Sequence, residues 1–276
     1  MTDLHKPNRH VIARRMTKGF YLSELNQEDF RVFFCLIISA IIIYYNIFGD
    51  NGKMKKGILI SDDALAVNFR EICMGKIAPG ALYRSSHPIK DNRQERKISA
   101  LVNNARIAAV INLCDSSSGI LSKALYAPWY NALLKSNKVI ALGMDFSFTS
   151  DSFKRKLKQV LRFIIETNGP WLIHCHAGVD RTGFVSMVLE SLMGAKLDDV
   201  IEDYLQSFNS VFESSIFETR KTDSLVAMQV LSVMNDSMII DDQNLQGIAE
   251  GYLQKTIGLS AEEMELLKRK LMGIIQ

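Results

Sequence analysis

The sequence predicts an α/β fold in which a mainly parallel central sheet is flanked by helices. Three short apolar runs with β-branched residues, at 108–114, 138–144 and 170–175, are typical of buried strands. Segments with helical periodicity follow each run, and this alternation favours a parallel sheet that is covered on both faces. We therefore expect a ligand to bind outside the carboxyl ends of these strands.

Helical segments account for most of the remaining chain. After a strand-like piece within 81–89, the spacing of apolar residues predicts helices over 90–103, 122–135, 152–167 and 183–192. Asp151 is the predicted N-cap of the third helix. A helical C-terminal part is predicted over 197–208, 222–235, 242–254 and 260–274. Ser260 and Glu263 have the spacing of a capping box at the start of the last helix.

The composition is that of an ordinary globular protein. The 276 residues are 47% hydrophobic and 23% charged, and the net charge of +3 is too small to indicate a nucleic-acid partner. The four cysteines are widely spaced and form no Cys-x-x-Cys pair, which argues against a zinc site or a disulfide framework. They are Cys35, Cys73, Cys114 and Cys175.

The N-terminus contains one segment of unusual composition. Residues 32–48 carry no charge, and their length is near the lower limit for a helix that spans a bilayer. We therefore predict an N-terminal segment over 1–53, with a candidate membrane helix at 32–48, and a globular domain over 54–276. A buried core helix is one alternative. In another, translation starts at Met54, and the protein is then cytoplasmic instead of membrane-anchored.

The stretch WLIHCHAGVDRTGFVSMVL, residues 171–189, places a polar cluster between two apolar runs. We interpret the runs as a buried strand and a buried helix, joined by a tight loop that begins at Cys175. Backbone N–H groups of such a loop and of the first helical turn converge beside the sulfur, at the positive end of the helix dipole. This arrangement binds a tetrahedral oxyanion and stabilises a thiolate, which can attack a bound phosphoryl group.

Other residues of the cluster fit the same chemistry. Arg181 lies six residues after Cys175 and offers two parallel N–H donors to phosphate oxygens. Gly178 permits the turn, the Thr182 hydroxyl can donate to the sulfur, and His174 can hold the shape of the loop. The candidate substrate-binding residues of the loop are His176, Ala177, Gly178, Val179, Thr182 and Gly183.

The pattern implies neither a cofactor nor a metal ion. His174 and His176 alternate at the end of a predicted strand, so that their side chains point to opposite faces. No further cluster of ligand residues accompanies them in the sequence. We therefore expect the chemistry to rest on the protein side chains alone.

The string HCHAGVDRTG resembles the signature loop of cysteine-dependent protein tyrosine and dual-specificity phosphatases. The stretches VNFREI (67–72), GALYRSS (80–86) and GYLQKTIGLSAEEMELLKRKL (251–271) are similar to bacterial atypical members whose loop carries Asp directly before Arg. The resemblance covers roughly residues 60–275 and implies the fold of these phosphatases. It also implies that Cys175 is the nucleophile, Arg181 the phosphate clamp, and Asp180 the aspartate that marks the subgroup.

Two residues are candidates for the general acid that protonates the leaving group. Asp145 lies thirty residues before Cys175, where the resemblance places the general-acid loop, although GMDFSFTS replaces the usual Trp-Pro-Asp. Asp180 lies within the signature loop itself. We favour Asp145. A further upstream residue, Arg84, has two interpretations, since it either binds substrate phosphate or pairs with a carboxylate.

The expected activity is hydrolysis of phosphate monoesters, chiefly phosphotyrosine in proteins. Lipid-active members of the family often have Lys where this chain has Val179, which favours a phosphoprotein substrate, although a protonated His176 would supply part of that charge. Phosphoserine, phosphothreonine, phosphoinositides and inositol phosphates are the alternative substrates. A phosphate-binding module without catalysis is the alternative function.

Overall fold

Five short strands form the central sheet of the protein. The computed structural model describes residues 68–211, 227–235 and 240–274. The strands are β1 (Arg70–Ile72), β2 (Leu82–Ser85), β3 (Ala109–Asn112), β4 (Val139–Ala141) and β5 (Trp171–His174). Their spatial order is β1-β2-β5-β3-β4, with β1 antiparallel to β2 and the other neighbours parallel. The predicted mainly parallel sheet is confirmed.

The register brings the ends of three strands to the same level. Ser85 of β2 and Asn112 of β3 both lie beside His174 of β5. All residues of β3 and β5 are buried. The segment that follows His174 therefore emerges at the carboxyl edge of the sheet, between two neighbouring strands that end there.

Helices surround the sheet and form the C-terminal part. The first five are α1 (Asn92–Asn104), α2 (Gly119–Ala124), α3 (Pro128–Lys135), α4 (Asp151–Glu166) and α5 (Asp180–Leu192). The later ones are α6 (Leu197–Val211), a helical segment at 227–232, α7 (Leu245–Gly251), which continues as a π-helix over Tyr252–Ile257, and α8 (Ala261–Leu271). The helical C-terminal part is confirmed for the residues that the structure describes.

The helices cover the sheet on both faces. Against one face, residues of α1, α2, α3 and the sheet form an apolar cluster of Ile98, Val102, Val110, Ile120, Tyr130 and Leu172. Side chains alternate along a strand, so Ile111 and Ile173 are buried on the opposite face. Phe153 of α4 and Phe184 of α5 pack on each other, with ring centroids 5.5 Å apart.

The helix predicted over 122–135 is wrong as a single element. The chain forms α2 and α3 instead, with a break at 125–127, because Pro128 begins α3 and lacks a backbone N–H. The residue before a proline is also disfavoured in the helical region, and Ala127 is extended at φ −122° and ψ 87°. Leu125, which the helical spacing placed on an apolar face, is 76% exposed.

Two helix starts differ from the prediction. Ser150, not Asp151, caps α4, because its side chain accepts a hydrogen bond from the N–H of Phe153. Asp151 is instead the first residue of α4, where the positive end of the helix dipole stabilises its carboxylate. Helix α5 begins at Asp180, three residues before the predicted start at Gly183.

The predicted apolar helix at 32–48 and Cys35 lie outside the described residues. Within the ranges that the structure describes, no helix is long and apolar enough to cross a membrane. The described residues all fall within the predicted domain over 54–276.

The capping box of α8 provides a test of local stability. The Ser260 hydroxyl accepts from the N–H of Glu263 at 3.0 Å, and the Glu263 carboxylate accepts from the N–H of Ser260 at 2.9 Å. Ser260→Ala should lower the free energy of unfolding by about 1 kcal/mol in urea denaturation. The control is Ser122→Ala, which changes an exposed serine that caps no helix. Equal losses of unfolding free energy in the two variants would contradict the assignment of Ser260 as a stabilising cap.

Candidate active site

The 175–181 loop joins β5 to α5 at the carboxyl edge of the sheet. Cys175 directly follows β5 and is 2% exposed. Gly178 turns the chain at φ +77°, and its N–H points to the Cys175 sulfur at 3.3 Å. The first N–H groups of α5 have no intrahelical acceptors, so they add donors at the same edge. The loop therefore places a thiol beneath a cluster of N–H groups.

Gly178 is required at its position for two reasons. A side chain is strained at its positive φ, and a Cβ atom there would lie 2.5 Å from the carbonyl oxygen of Ser85 and 2.7 Å from Nδ2 of Asn68. The loop thus packs directly against the end of β2 and the residues before β1. A larger residue would push it away from both.

Arg181 lies in the first turn of α5 and folds back over the segment that follows β4. Its Nη1 donates to the carbonyl of Met144 at 2.9 Å, and its guanidinium carbon lies 4.2 Å from the centroid of the Phe146 ring. The Arg181 Nε atom is buried and has no hydrogen-bond partner among the described residues. One edge of the guanidinium is therefore anchored, while a donor nitrogen remains available for a bound anion.

The two candidate acids occupy different surroundings. Asp145 is exposed in the segment that follows β4, next to the carbonyl that Arg181 binds, and its Oδ1 accepts from the N–H of Ser147 at 2.9 Å. Asp180 begins α5 within the loop. Burial raises the pKa of Asp180, and the neighbouring Arg181 opposes that shift only in part.

His174, at the end of β5, and His176 in the loop are both neutral at physiological pH. Burial, and then the nearby His87, place the pKa of His174 well below its ordinary value. His174 Nδ1 lies 3.4 Å from the carbonyl oxygen of Cys175, and His174 Nε2 lies 3.2 Å from the Tyr130 hydroxyl. Burial, and then Lys90, lower the pKa of His176 to about 4. His176 therefore does not supply the positive charge that the sequence allowed for it.

Two residues that follow the loop, Thr182 and Gly183, differ from their predicted roles. Thr182 lies in the first turn of α5, and its buried hydroxyl makes no hydrogen bond to the sulfur or to any other described residue. The N–H of Gly183 donates to the carbonyl of Val179 within the helix, so it does not face a ligand. The Val179 side chain is buried. These differences follow from the early start of α5.

Gly183 serves helix packing instead of ligand binding. A Cβ atom at this position would lie 2.7 Å from the ring of Tyr204 in α6. The absence of a side chain thus lets α6 pack against the start of α5.

Arg84 contacts the loop from its carbonyl side and pairs with a carboxylate. Its side chain is fully buried and forms an ion pair with Asp203 of α6. Its Nη2 donates to the carbonyl of Gly178 at 2.9 Å. Of the two interpretations of Arg84, the structure supports the pairing with a carboxylate.

Four charged residues form a buried ion-pair cluster below the loop: Arg70, Arg84, Glu190 and Asp203. Arg70 Nε lies 2.9 Å from Asp203 Oδ1, and its Nη2 donates to the backbone carbonyl of the same residue at 2.7 Å. Burial opposes ionisation of Asp203, but Arg84 and Arg70 outweigh it and lower the pKa of that carboxyl. Burial, and then Asp203, raise the pKa of Glu190 well above its ordinary value. Neither carboxyl oxygen of Glu190 has a hydrogen-bond partner among the described residues.

A second polar network lies beside the loop. Asp115 accepts from His87 Nε2 at 2.7 Å, from Lys123 at 2.7 Å and from Asn112 at 2.9 Å. With Cys114, His87 and Asp115 form a set of potential metal ligands. The Lys123 ammonium already provides a positive charge beside two of these residues. It lies 3.4 Å from His87 Nε2 and 2.7 Å from Asp115 Oδ1. The network is therefore satisfied without an ion.

Comparison with known proteins gives the family. The sequence model of the tyrosine phosphatase family matches residues 65–273, most of the chain. The chain belongs to the tyrosine phosphatase family. The resemblance seen in the signature loop is thereby confirmed.

Individual relatives of this phosphatase are distant. A segment of 63 residues is 38% identical to the triple specificity protein phosphatase PtpB of Mycobacterium tuberculosis, and it spans 23% of this chain and 22% of that protein. The core catalytic domain of the PP-IP phosphatase SIW14 from S. cerevisiae, in complex with citrate, is 19% identical over 67% of this chain and 94% of that chain, with a TM-score of 0.37. A second structure of the Siw14 catalytic core is 18% identical over 72% of this chain and 98% of that chain, also at 0.37.

Sequence reasoning missed several residues around the loop of this phosphatase. Glu190 is a charged residue in the mostly apolar second half of α5, and this exception was a usable signal. Asp203 and Phe146 carried no signal, because each meets its partner only through the tertiary fold.

The raised pKa of Glu190 predicts a pH-dependent gain of stability in Glu190→Gln. The unfolded chain loses its Glu190 proton above about pH 4.3, whereas the folded protein loses it only at a higher pH, so the glutamate destabilises the fold increasingly as the pH rises between the two pKa values. Glutamine has nearly the same shape and carries no charge, so it avoids that penalty. In urea denaturation we expect the variant to be more stable than wild type at pH 8, by a larger margin than at pH 5.

The matched control is Glu166→Gln, which makes the same chemical change at an exposed position at the end of α4. The difference in unfolding free energy between this variant and wild type should not grow as the pH rises. A Glu190→Gln variant that is less stable than wild type at pH 8 would mean that Glu190 is ionised and paired with the arginines.

Proposed function

We propose that this phosphatase hydrolyses phosphotyrosine in proteins through a cysteinyl-phosphate intermediate on Cys175. The observation that carries the proposal is the geometry of the 175–181 loop. The Cys175 thiol lies 3.3 Å from the backbone nitrogen of Gly178, and Arg181, in the first turn of the helix that follows, keeps an unpaired, buried Nε nitrogen. Binding of an anion alone does not require a nucleophilic sulfur at the base of the site.

The first step transfers the phosphoryl group to the enzyme. The loop N–H groups and Arg181 bind the nonbridging oxygens, which places phosphorus above the sulfur. The Cys175 thiolate attacks in line, so that an S–P bond forms while the P–O bond to the tyrosine breaks. The general acid gives its proton to the departing phenolate oxygen.

The second step regenerates the thiolate. Water attacks the cysteinyl phosphate, and the carboxylate left by the first step accepts the proton of that water. The S–P bond breaks, and inorganic phosphate leaves. Throughout, Arg181 can stay anchored to the Met144 carbonyl, because the guanidinium has five N–H donors.

The surroundings of Arg181 support an aromatic substrate. The Phe146 ring stacks on the guanidinium and provides an apolar wall next to the phosphate position. The loop adds no cation of its own at 176 or 179, since His176 is neutral and Val179 is buried. A phenyl phosphate ester therefore suits the site better than an inositol ring with several phosphates.

Asp145 is the proposed general acid. Arg181 binds the carbonyl of Met144, the residue before Asp145, so a phosphate held by Arg181 lies close to the segment that carries this carboxyl. Asp145 is also exposed, which lets it reach a leaving group on the open side of the loop. Asp180, at the start of α5, is the alternative.

A substrate panel tests the activity and its range. We expect the full chain to hydrolyse a phosphotyrosine peptide with a higher kcat/KM than a phosphoserine peptide, a phosphoinositide or inositol hexakisphosphate. Cys175→Ser should lower kcat by more than about 1,000-fold on every substrate, because the hydroxyl is a weak nucleophile at neutral pH. Hydrolysis that survives this change would refute the cysteinyl phosphate. No hydrolysis by the native protein would favour the binding module.

The general acid can be identified from how kcat depends on the leaving group of the substrate. Asp145→Asn should lower kcat by about 100-fold with phenyl phosphate but much less with p-nitrophenyl phosphate, because p-nitrophenolate leaves without a proton. It should also abolish the fall of kcat at high pH. Asp180→Asn is the matched control, and it should keep that fall. The opposite result in the two variants would assign the acid to Asp180.

A further inference from the structure

Three consecutive carbonyl groups of the 175–181 loop accept hydrogen bonds from residues in or near β1 and β2. The His176 carbonyl accepts from the backbone N–H of His87 at 3.0 Å, and the Ala177 carbonyl accepts from Asn68 Nδ2 at 3.0 Å. The Gly178 carbonyl accepts from Arg84 Nη2 at 2.9 Å. All three donors come from β2 or from the segments beside β1 and β2. The loop is thus tied to one side of the sheet through its acceptors.

The geometry of the peptide bond converts these contacts into an orientation of donors. In a trans peptide, the carbonyl and the N–H of the same unit point in opposite directions. Carbonyls of 176–178 that are fixed toward β2 therefore turn the N–H groups of 177–179 to the other side, where the thiol lies. The N–H of Gly178 shows this, because it points to the Cys175 sulfur.

The two side-chain donors are themselves held in place. Arg84 uses one nitrogen for Asp203 and another for the Gly178 carbonyl, which only a forked side chain can do in a fixed geometry. Arg70 donates to Asn68 Oδ1 at 2.6 Å, which orients the Asn68 amide so that its Nδ2 faces the loop. Arg70 is anchored in turn to Asp203 and to Ser207 Oγ at 2.6 Å.

The cluster also carries a charge that suits its position. Burial, and then Arg84, lower the pKa of Arg70 to about 10, so Arg70 is still charged at neutral pH. Burial raises the pKa of Glu190 and thereby disfavours its negative charge, while the two arginines lower the pKa of Asp203. The two guanidinium groups thus favour an anion at the neighbouring loop.

We propose that Arg84 and Asn68 are positioning residues, which turn the N–H groups of the 175–181 loop toward the phosphate, and that Arg70 and Asp203 hold them in that role. The inference rests on the proposed function, since it assigns these groups to the binding of the phosphoryl group. They touch neither the substrate nor the reacting atoms. Their effect on the reaction passes through the peptide units of the loop.

Binding of inorganic phosphate to the full chain, measured by calorimetry, tests the proposal. Arg84→Lys keeps the positive charge but loses the fork, and Asn68→Leu keeps the volume but loses the donor to Ala177. Each should weaken phosphate binding by about 10- to 100-fold, since donors that are misplaced by about an ångström lose much of their effect. The kcat/KM for p-nitrophenyl phosphate should fall by a similar factor.

Leu267→Ala is the control for stability, because it removes a buried side chain from α8, outside the loop and the ion-pair cluster. It should lower the melting temperature and leave the phosphate affinity unchanged. The proposal is overturned if Asn68→Leu, or Arg84→Lys where it folds, binds phosphate as tightly as wild type. Phosphate binding is measured without turnover, so this result is separate from the Cys175→Ser test of the proposed function.

Discussion

The contact between the 175–181 loop and the end of β2 is the constraint on which the rest of the site depends. Gly178 lies so close to Ser85 and Asn68 that no side chain fits between them. This approach requires a positive φ at Gly178, a parallel register that ends β2 and β5 at the same level, and buried donors behind the loop. The sheet, the loop and the ion-pair cluster therefore form one packing unit.

Burial explains why the polar groups behind the loop are arranged as a network. A charge that is removed from water is tolerated only when it is paired and hydrogen-bonded. Arg84 meets this requirement through Asp203 and a backbone carbonyl, whereas burial raises the pKa of Glu190 and so disfavours its charged form. The same contacts that remove the cost of burial fix the direction of the loop carbonyls.

The segment after β4 links the phosphate clamp to the favoured acid. Its Met144 carbonyl and Phe146 ring both contact Arg181, and Lys156 of α4 donates to its Gly143 carbonyl at 2.7 Å. The segment is thus contacted by α4 through Lys156 and by α5 through Arg181. In the proposed function, an acid on this segment moves together with the arginine that is proposed to bind the phosphate, which is the coupling that a general acid needs.

Much of the architecture follows from local patterns in the sequence. Strands β2 to β5, α1, α4 and the capping box of α8 follow from apolar periodicity and short-range hydrogen bonds, which depend on residues a few positions apart. Strand β1 was not predicted. The break between α2 and α3 was equally local, but the helical spacing of 122–135 obscured the effect of Pro128.

The sequence by itself determined the family and the strand–loop–helix that carries Cys175 and Arg181, because the loop is one continuous stretch of ten residues. Only the tertiary structure decided what lies behind that loop. Arg84 and Asp203 are 119 positions apart, and Asn68 and Ala177 are 109 apart. No local pattern encodes such pairs, since they exist only once the sheet has brought β1, β2 and α6 together.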